Sequence, residues 1–235
     1  MVLLKEKESF NVSEFLQKLK EFDLQIEDVE ISGTIILFKI AGDTFSICYL
    51  DFPIPEGDIK YAANLTDNWP NAWEELKFHR AHVLVTGFPG DLNQTDRFKA
   101  LTKLILTLLH TSPCMGVYMG NQGLIIPTFS YMKAETVLRE ERLPITHWIN
   151  VCMFKHRSKN YIRTVGLASF GVMEIDMIDS NKFEDLYPFI CGVILEILKN
   201  QIKIKEGTFF INGSERITFE IAVSPLDDTK ILRIV

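Results

Sequence analysis

The sequence predicts an α+β fold with mainly antiparallel sheets and helices packed on one face of them. Short strand segments follow one another with tight turns between them, which is typical of hairpins. Two longer segments, Phe98–Leu108 and Leu186–Leu198, repeat apolar residues at helical spacing. Both halves of the chain follow the order helix, strand, strand, helix, strand. We therefore expect two ferredoxin-like lobes, residues 1–131 and 132–235, within one domain.

The first half is predicted to begin with a helix from Ser13 to Phe22, because Asn11 can cap it and Glu14 follows in a capping-box arrangement. Strands over 29–40 and 44–52 follow, joined by a hairpin loop at 41–43. The other elements predicted in this half are a helical segment over 59–79 that restarts at Pro70 with Asn68 as its cap, a buried strand over 81–87, a helix containing 98–108 with Thr95 or Asn93 as its cap, and short strands over 114–118 and 124–126.

The second half is predicted to contain two helices. One is polar and covers 133–142, and the other is strongly apolar, is capped by Asn181 and ends near Lys199. Asn212-Gly213 is a strong hairpin-turn signal between two strands. The strands predicted in this half cover 148–155, 161–167, 172–178, 208–211, 217–223 and 231–235, the last of which is expected at a sheet edge.

The overall charge narrows the classes of partner. The chain has 235 residues, of which 25 are basic and 31 are acidic, so its net charge is −6. Binding to a phosphate backbone needs clustered Lys and Arg, and the basic turn from Lys155 to Lys159 is too short to form such a patch. We expect no nucleic-acid partner. The acidic balance suits a basic protein partner, although it also serves solubility.

Cysteine spacing and hydropathy predict a soluble cytoplasmic protein. The cysteines lie far apart without a CxxC pair, which is typical of reduced thiols: Cys48, Cys114, Cys152 and Cys191. The first residues become charged at once, so we expect no signal peptide. The longest apolar run, Leu186 to Leu198, is shorter than the roughly 18 residues of a membrane span. We expect no membrane association, and nothing in the sequence indicates the oligomeric state.

Several short motifs follow one another along the chain. They are Trp69-Pro70-x-Ala72, His79-x-Ala81-His82, Gly116-Val117-Tyr118, Trp148 and Thr164-x-Gly166-Leu167-x-x-Phe170-Gly171-x-x-Glu174. In this order they resemble the bacterial family called domain of unknown function 4261, over about Pro53 to Ile234. Met119 departs from the pattern, since a Trp is expected there. The resemblance implies bacterial origin and a single intact domain, and it brings no activity or cofactor.

His79 and His82 are spaced as two metal ligands on a helix could be. A metal site needs at least a third ligand, and no cluster of His, Cys, Asp or Glu supplies one nearby in the sequence. The motif is also not HExxH, which would add a positioned general base. Because His82 opens a predicted buried strand, a hydrogen-bonded core imidazole is the simpler interpretation. We predict no metal and no cofactor.

Glu174 and Asp176 lie two residues apart on a predicted strand, so both should point to one face. Paired carboxylates can perform acid/base chemistry when their environments separate their pKa values. Met173, Ile175 and Met177 occupy the opposite face, which favours a half-solvated strand instead.

Two further segments are candidates for chemistry. The segment 87–91, Gly-Phe-Pro-Gly-Asp, lies between a strand and a helix, where backbone amides can bind phosphate. Asp91 would repel a phosphate, and neither phosphate-loop pattern is present, so a tight turn is the simpler interpretation. Cys114 follows Pro113, but no histidine partner is apparent, which argues against a nucleophile.

The aromatic residues offer a candidate binding surface. Trp69 and Trp73 are one helical turn apart, so their rings are expected to share a face. Together with Tyr118, Tyr131 and Trp148 they could line a cleft. Burial in the core and an aromatic contact site for a protein partner both fit this pattern.

These observations predict a non-catalytic protein-binding domain, inhibitory or immunity-like in character. The prediction depends on the absence of catalytic motifs, on the acidic balance and on a chain long enough to form its own core. The alternative is a small-molecule hydrolase or transferase with an atypical site near His79, His82 and Glu174.

Overall fold

The structure is a computed structural model that describes residues 1–66, 69–156, 158–205, 207–212 and 215–235. The chain divides into two compact units, Met1–His147 (unit 1) and Trp148–Val235 (unit 2). Helices and mainly antiparallel sheets occur in both, so the α+β class is confirmed. Three sequence predictions concern residues outside the described ranges: the Asn68 cap, the part of the basic turn at Arg157, and Gly213 of the hairpin turn.

Unit 1 contains one sheet. In its described residues the strands are β1 (Val2–Leu4), β2 (Glu27–Ser32), β3 (Ile35–Ile40), β4 (Asp43–Leu50), β5 (Ala81–Phe88), β6 (Cys114–Met119) and β7 (Leu124–Pro127). The α-helices are α1 (Val12–Leu19), α2 (Glu56–Asn64), α3 (Ala72–Leu76), α4 (Gln94–Thr111), α5 (Thr128–Tyr131), α6 (Lys133–Arg139) and α7 (Ile145–Trp148). The last residue of α7, Trp148, is the first residue of unit 2. The strand order is β2-β3-β4-β5-β1-β6-β7, and neighbouring strands are antiparallel.

Two features of unit 1, its helix caps and the β2–β3 hairpin, follow directly from local sequence. The Asn11 and Asn93 side chains accept hydrogen bonds from the amides of Glu14 and Asp96, so both predicted caps of α1 and α4 are present. The predicted strand over 29–40 is in fact a hairpin, because a two-residue loop separates β2 from β3. Gly33 opens that loop with a φ of +58°, a conformation that favours glycine.

Helices cover both faces of the sheet in unit 1, where the sequence predicted one face. Helices α1 and α4 pack on one face through residues such as Phe15 and Leu104. Helices α2 and α3 pack on the other face against Leu3, Tyr118 and Ile125. These strand residues alternate with core residues of the first face, so β1, β6 and β7 are apolar on both sides and need cover on both.

Part of unit 1 has a ferredoxin-like strand order. Strands β4, β5, β1 and β6 are adjacent in that order in the sheet. Along the chain, helix α1 follows β1 and helix α4 follows β5. Unit 2 follows a different order of elements. The prediction of two ferredoxin-like lobes is therefore not confirmed.

Unit 2 contains a second sheet. In its described residues the strands are β8 (Asn150–His156), β9 (Lys159–Val165), β10 (Ile175–Asp179), β11 (Phe209–Asn212), β12 (Glu215–Val223) and β13 (Lys230–Ile234), and the α-helix is α8 (Phe183–Lys199). The strand order is β11-β12-β13-β10-β9-β8, and β10 pairs with β13 in parallel.

Two sequence predictions for unit 2 were wrong. The last strand, β13, lies between β12 and β10 instead of at an edge, because Leu232 pairs with Ile175 on one side and Ile221 on the other. The N-cap position of α8 is Lys182 and carries no side-chain cap hydrogen bond, so Asn181 does not cap this helix.

Candidate functional site

The two predicted site histidines are buried, and both hold the same backbone segment. His79 Nε2 accepts a hydrogen bond from the Ile54 amide at 2.8 Å, and His79 Nδ1 donates to the Leu76 carbonyl at 2.6 Å. His82 Nδ1 donates to the Phe52 carbonyl at 2.8 Å, and the His82 ring meets the Phe52 ring edge-on. Because a backbone carbonyl can only accept, both rings carry their proton on Nδ1.

This geometry gives the histidines a structural role. Strands β4 and β5 pair as far as Leu50 and His82, and the two imidazoles then hold the residues that follow β4. Burial lowers the pKa of both His79 and His82, which favours the neutral rings. Both nitrogens of His79 are engaged, and within the described ranges no three His, Cys, Asp or Glu residues come close enough to hold a metal ion.

Glu174, the third residue of the predicted alternative site, precedes β10 in unit 2. Its carboxylate accepts hydrogen bonds from the amides of Gly166 at 2.8 Å, Leu167 at 3.3 Å and Ala168 at 3.1 Å, and from the Thr164 hydroxyl at 2.7 Å. Successive amides of this kind form an anion-binding concavity. The Glu174 carboxylate itself occupies this concavity. A proton transfer by this group would therefore disrupt the hydrogen bonds that hold the turn.

Asp176 is fully buried, which contradicts the predicted half-solvated strand. β10 pairs with both β9 and β13, so Asp176 lies opposite Arg163 on one side and Arg233 on the other. It accepts hydrogen bonds from the Tyr161 hydroxyl at 2.8 Å and from Arg233 Nε at 2.9 Å. Burial, with the hydrogen bond to Asp176, raises the pKa of Tyr161 to about 12. The Asp176 carboxylate is thus satisfied by side chains of its own sheet.

Arg163, on β9, ties the β12–β13 loop to this sheet. Its Nη1 donates to Ser224 Oγ at 2.9 Å and lies 2.8 Å from an Asp227 carboxylate oxygen, and its Nη2 donates to Thr229 Oγ1 at 3.2 Å. These residues lie at the two ends of the loop, so the arginine closes it. The arrangement satisfies Nη1 and Nη2 of this buried arginine, whereas its buried Nε makes no hydrogen bond with the described residues.

The segment 87–91 is a tight turn held by a distant carboxylate. Asp43 Oδ1 accepts hydrogen bonds from the Gly90 amide at 2.8 Å and the Leu92 amide at 3.0 Å, and Arg97 Nε donates to Asp43 Oδ2. A Cβ on Gly90 would lie 2.4 Å from the Gly42 carbonyl oxygen, so glycine is required there. The amides that a phosphate would need are occupied by Asp43.

The predicted aromatic contact residues are largely core residues. Trp69 and Tyr118 are each 9% exposed and belong to the cluster that covers the α2–α3 face of the sheet. Trp148 is fully buried and stacks on Phe170 at 5.9 Å between ring centroids. Trp73 is half-buried, with the Lys60 ammonium 5.8 Å from its ring. Because α3 begins at Ala72, Trp69 precedes the helix and the two rings do not share a helical face.

The cysteines are free, and Cys114 is not poised to react. Its thiol lies 3.6 Å from the Leu108 carbonyl oxygen, and burial raises its pKa to about 12. A thiolate nucleophile requires the opposite shift.

An exposed apolar surface lies instead on the β2–β3 hairpin, at one edge of the sheet in unit 1. Its apolar residues are exposed: Val29 is 47%, Ile31 55%, Ile35 40% and Leu37 36% exposed. Ile31 lies opposite the buried Ile36, whereas Ile35 and Leu37 point to the other face. We call these four exposed residues and the backbone of β2 the edge surface.

The edge surface is acidic. Residues 21–30 contain five acidic and no basic residues. Glu27, Asp28 and Glu30 lie on β2 itself and are exposed. The Lys39 ammonium, 2.7 Å from Asp28, offsets one of these charges, and that hydrogen bond raises the pKa of Lys39. The sequence contains two signals for this surface, the acidic run of residues 21–30 and a strand with apolar residues on both of its faces.

Searches against protein-family models, curated proteins and solved structures find no match. In the described part of the chain, none of the helices has both the length and the apolar character needed to cross a bilayer.

Proposed function

We propose that this chain is a non-catalytic protein-binding domain that recognises an extended, basic segment of a partner through the edge surface. The observation that carries the proposal is the exposure of Val29, Ile31, Ile35 and Leu37 on both faces of an edge hairpin. Groups of exposed apolar residues with a polar rim are typical of surfaces that bind another protein. An edge strand also presents unpaired backbone groups, which a partner strand can use.

The edge at β2 is better suited to an added strand than the opposite edge of the same sheet. β7 has four residues, of which three are buried, and ends at Pro127. β2 has six residues, all exposed. A bulge with Asp28 at a φ of +51° interrupts the pairing of β2 near its start, so the segment from Val29 to Ser32 is the part available to a partner strand.

Charge selects the partner class. An added strand would lie beside Glu27 and Glu30, so basic side chains in that strand would be favoured and acidic ones disfavoured. The same argument opposes pairing of β2 with β2 of a second copy, because it would place like charges together. Apolar residues of the partner strand would contact Ile31 on one face, and its basic residues would lie beside Glu30 on the other face, where Leu37 is the next residue across the sheet.

An enzymatic function near His79, His82 and Glu174 has less support. His79 has both ring nitrogens bonded to backbone groups, and Glu174 accepts three backbone amides. The proposal of a binding domain extends to the expectations that the sequence raised: a bacterial, cytoplasmic protein that has a protein partner, no nucleic-acid partner and an inhibitory or immunity-like role.

A displayed library of random peptides, selected on the purified chain, tests the proposal. We expect enriched peptides that are basic and alternate apolar with polar residues, and we expect Ile31→Ser to reduce their affinity about tenfold or more, since one large apolar contact is lost. Glu30→Lys should also reduce the affinity of these peptides, because it reverses a charge beside the added strand. The reduction should be larger at low salt concentration, where charges are screened less.

Ile211→Ser is the matched control, since Ile211 is 70% exposed on the edge strand β11 of unit 2. It should leave the affinity unchanged. A selection without enriched peptides, or peptides that lose equal affinity with Ile31→Ser and Ile211→Ser, would contradict the proposal.

A further inference from the structure

A cleft of about 540 Å³ opens in unit 1 beside helix α4, and its floor is apolar. The floor residues are Leu24, Ile40, Leu92, Ala100 and Leu138. They belong to the core cluster or pack against it, so the floor is built from well-anchored side chains. A cleft of this size matches sites for small organic molecules, which are typically about 300–1,000 Å³.

The charged residues that line the cleft are three cations, Lys99, Lys103 and Arg142, and two acids, Asp96 and Glu141. The Lys99 ammonium pairs with Asp96 at 2.8 Å, and the Arg142 guanidinium pairs with Glu140. The ammonium of Lys103, a half-buried residue on α4, makes no hydrogen bond or ion pair with any part of the chain that the structure describes. Lys103 also lines a neighbouring cleft of about 210 Å³.

We propose that this cleft binds a small amphipathic monocarboxylate, with the carboxylate on Lys103 and the apolar body on the leucine-rich floor. A carboxylate gives a partly buried ammonium a charge-assisted hydrogen bond. The apolar body removes the floor from water. A compact phosphate would leave the floor uncovered, and a cation would meet Lys103. The site is distinct from the edge surface, so it stands or falls independently of the protein-binding proposal.

Calorimetric titration with octanoate, kept below its micelle concentration, tests this site. The wild-type chain is expected to bind one octanoate saturably. Lys103→Met should reduce the affinity about tenfold, which is the usual effect of losing one hydrogen bond to a charged group. Octanol should bind the wild-type chain about as weakly as octanoate binds the Lys103→Met variant, because either change removes the ion pair.

Lys20→Met is the matched control, since Lys20 is exposed and does not line the cleft. It should bind octanoate as the wild type does. Lys103→Gln gives a second neutral variant if Lys103→Met does not fold. Absence of saturable binding to the wild type, or equal affinity in wild type and a folded Lys103 variant, overturns the proposal, as does an equal loss in Lys20→Met.

Discussion

Unit 1 and unit 2 each bury a carboxylate beside an arginine, but the two carboxylates hold different parts of the structure. Asp43 in unit 1 accepts hydrogen bonds from the amides of Gly90 and Leu92 and from the Arg97 side chain. It therefore fixes the loop between β5 and α4. The arginine is almost as buried as the acid, since its side chain is 7% exposed.

The carboxylate of unit 2 joins strands instead of a loop. Asp176 is bonded to Tyr161 on β9 and to Arg233 on β13, the two strands beside it. The Arg233 side chain is 26% exposed and can be partly hydrated. The same chemical pair can therefore fix a loop or align strands, and we expect the exposure of the arginine to set how much stability is lost when the carboxylate is removed.

The largest effect is expected from Asp43→Ala. The change leaves Arg97 as a buried unpaired charge and two amides without their acceptor, so the free energy of unfolding should fall by about 3–5 kcal/mol. Urea denaturation measures the loss, and peptide-resolved hydrogen exchange should localise it to residues 1–147. Asp91→Asn, a change at an exposed residue of the same turn, is the control and should stay within about 0.5 kcal/mol of wild type.

A smaller effect is expected from Asp176→Ala, the same truncation, about 2–3 kcal/mol, because water can partly compensate the more exposed Arg233. Hydrogen exchange should place the change in β9, β10 and β13. Equal losses in the Asp43 and Asp176 variants would show that arginine exposure does not set the cost. A loss in the Asp176 variant that spreads into residues 1–147 would show that the two units do not unfold separately.

Glu174→Gln is expected to cost about 1–2 kcal/mol, since the amide side chain keeps one acceptor oxygen but loses the charge that three backbone amides share. The expected readout is faster exchange of the amides of Gly166, Leu167 and Ala168. Asp228→Asn, an exposed site where asparagine tolerates the positive φ, is the control. Unchanged exchange at these amides would show that the carboxylate does not hold the turn.

The smallest effect is the pH dependence that Asp227 brings to unit 2. Burial opposes ionisation, but hydrogen bonds from Thr229 and Arg163 lower the pKa of Asp227 to about 2. Because the pKa of Asp227 is lower in the folded state than the unfolded value of about 3.9, its ionised form stabilises the folded protein at a pH above about 3.9. This stabilisation is lost as the pH falls towards 2. Because Asp227 is 44% exposed, the gain should stay below about 1 kcal/mol.

Melting temperatures of wild type and Asp227→Asn, measured from pH 6 to 2, provide the check. Wild type should be the more stable above about pH 4, and the difference should vanish near pH 2. A difference that is constant over this range would mean that Asp227 acts through shape and not through charge.

The histidines show why sequence alone left two interpretations open for part of the candidate site. The spacing of His79 and His82 is compatible with ligands and with core residues alike. The structural role depends on the Ile54 amide and the Phe52 carbonyl, to which the two imidazoles are hydrogen-bonded. These backbone groups come close to the histidines only because β4 pairs with β5. Asp176 is a similar case, because its arginine partner is 57 residues away and reaches it only through a parallel strand pairing.

What the sequence determined by itself was local. The asparagine caps of α1 and α4, the apolar stripes of the long helices and most strand positions follow from side chains within a few residues of one another. Those elements were enough to predict the α+β class. Local patterns also carried the acidic run before β2.

Tertiary structure decided which strands became neighbours and hence which surfaces stayed open. Apolar residues in β3 predict burial equally well in a covered strand and in an exposed hairpin. Only the strand order places β2 and β3 at the edge of the sheet and leaves Val29, Ile31, Ile35 and Leu37 exposed. The physical reason is that burial is a property of neighbours distant in sequence, whereas periodicity and capping are properties of the segment itself.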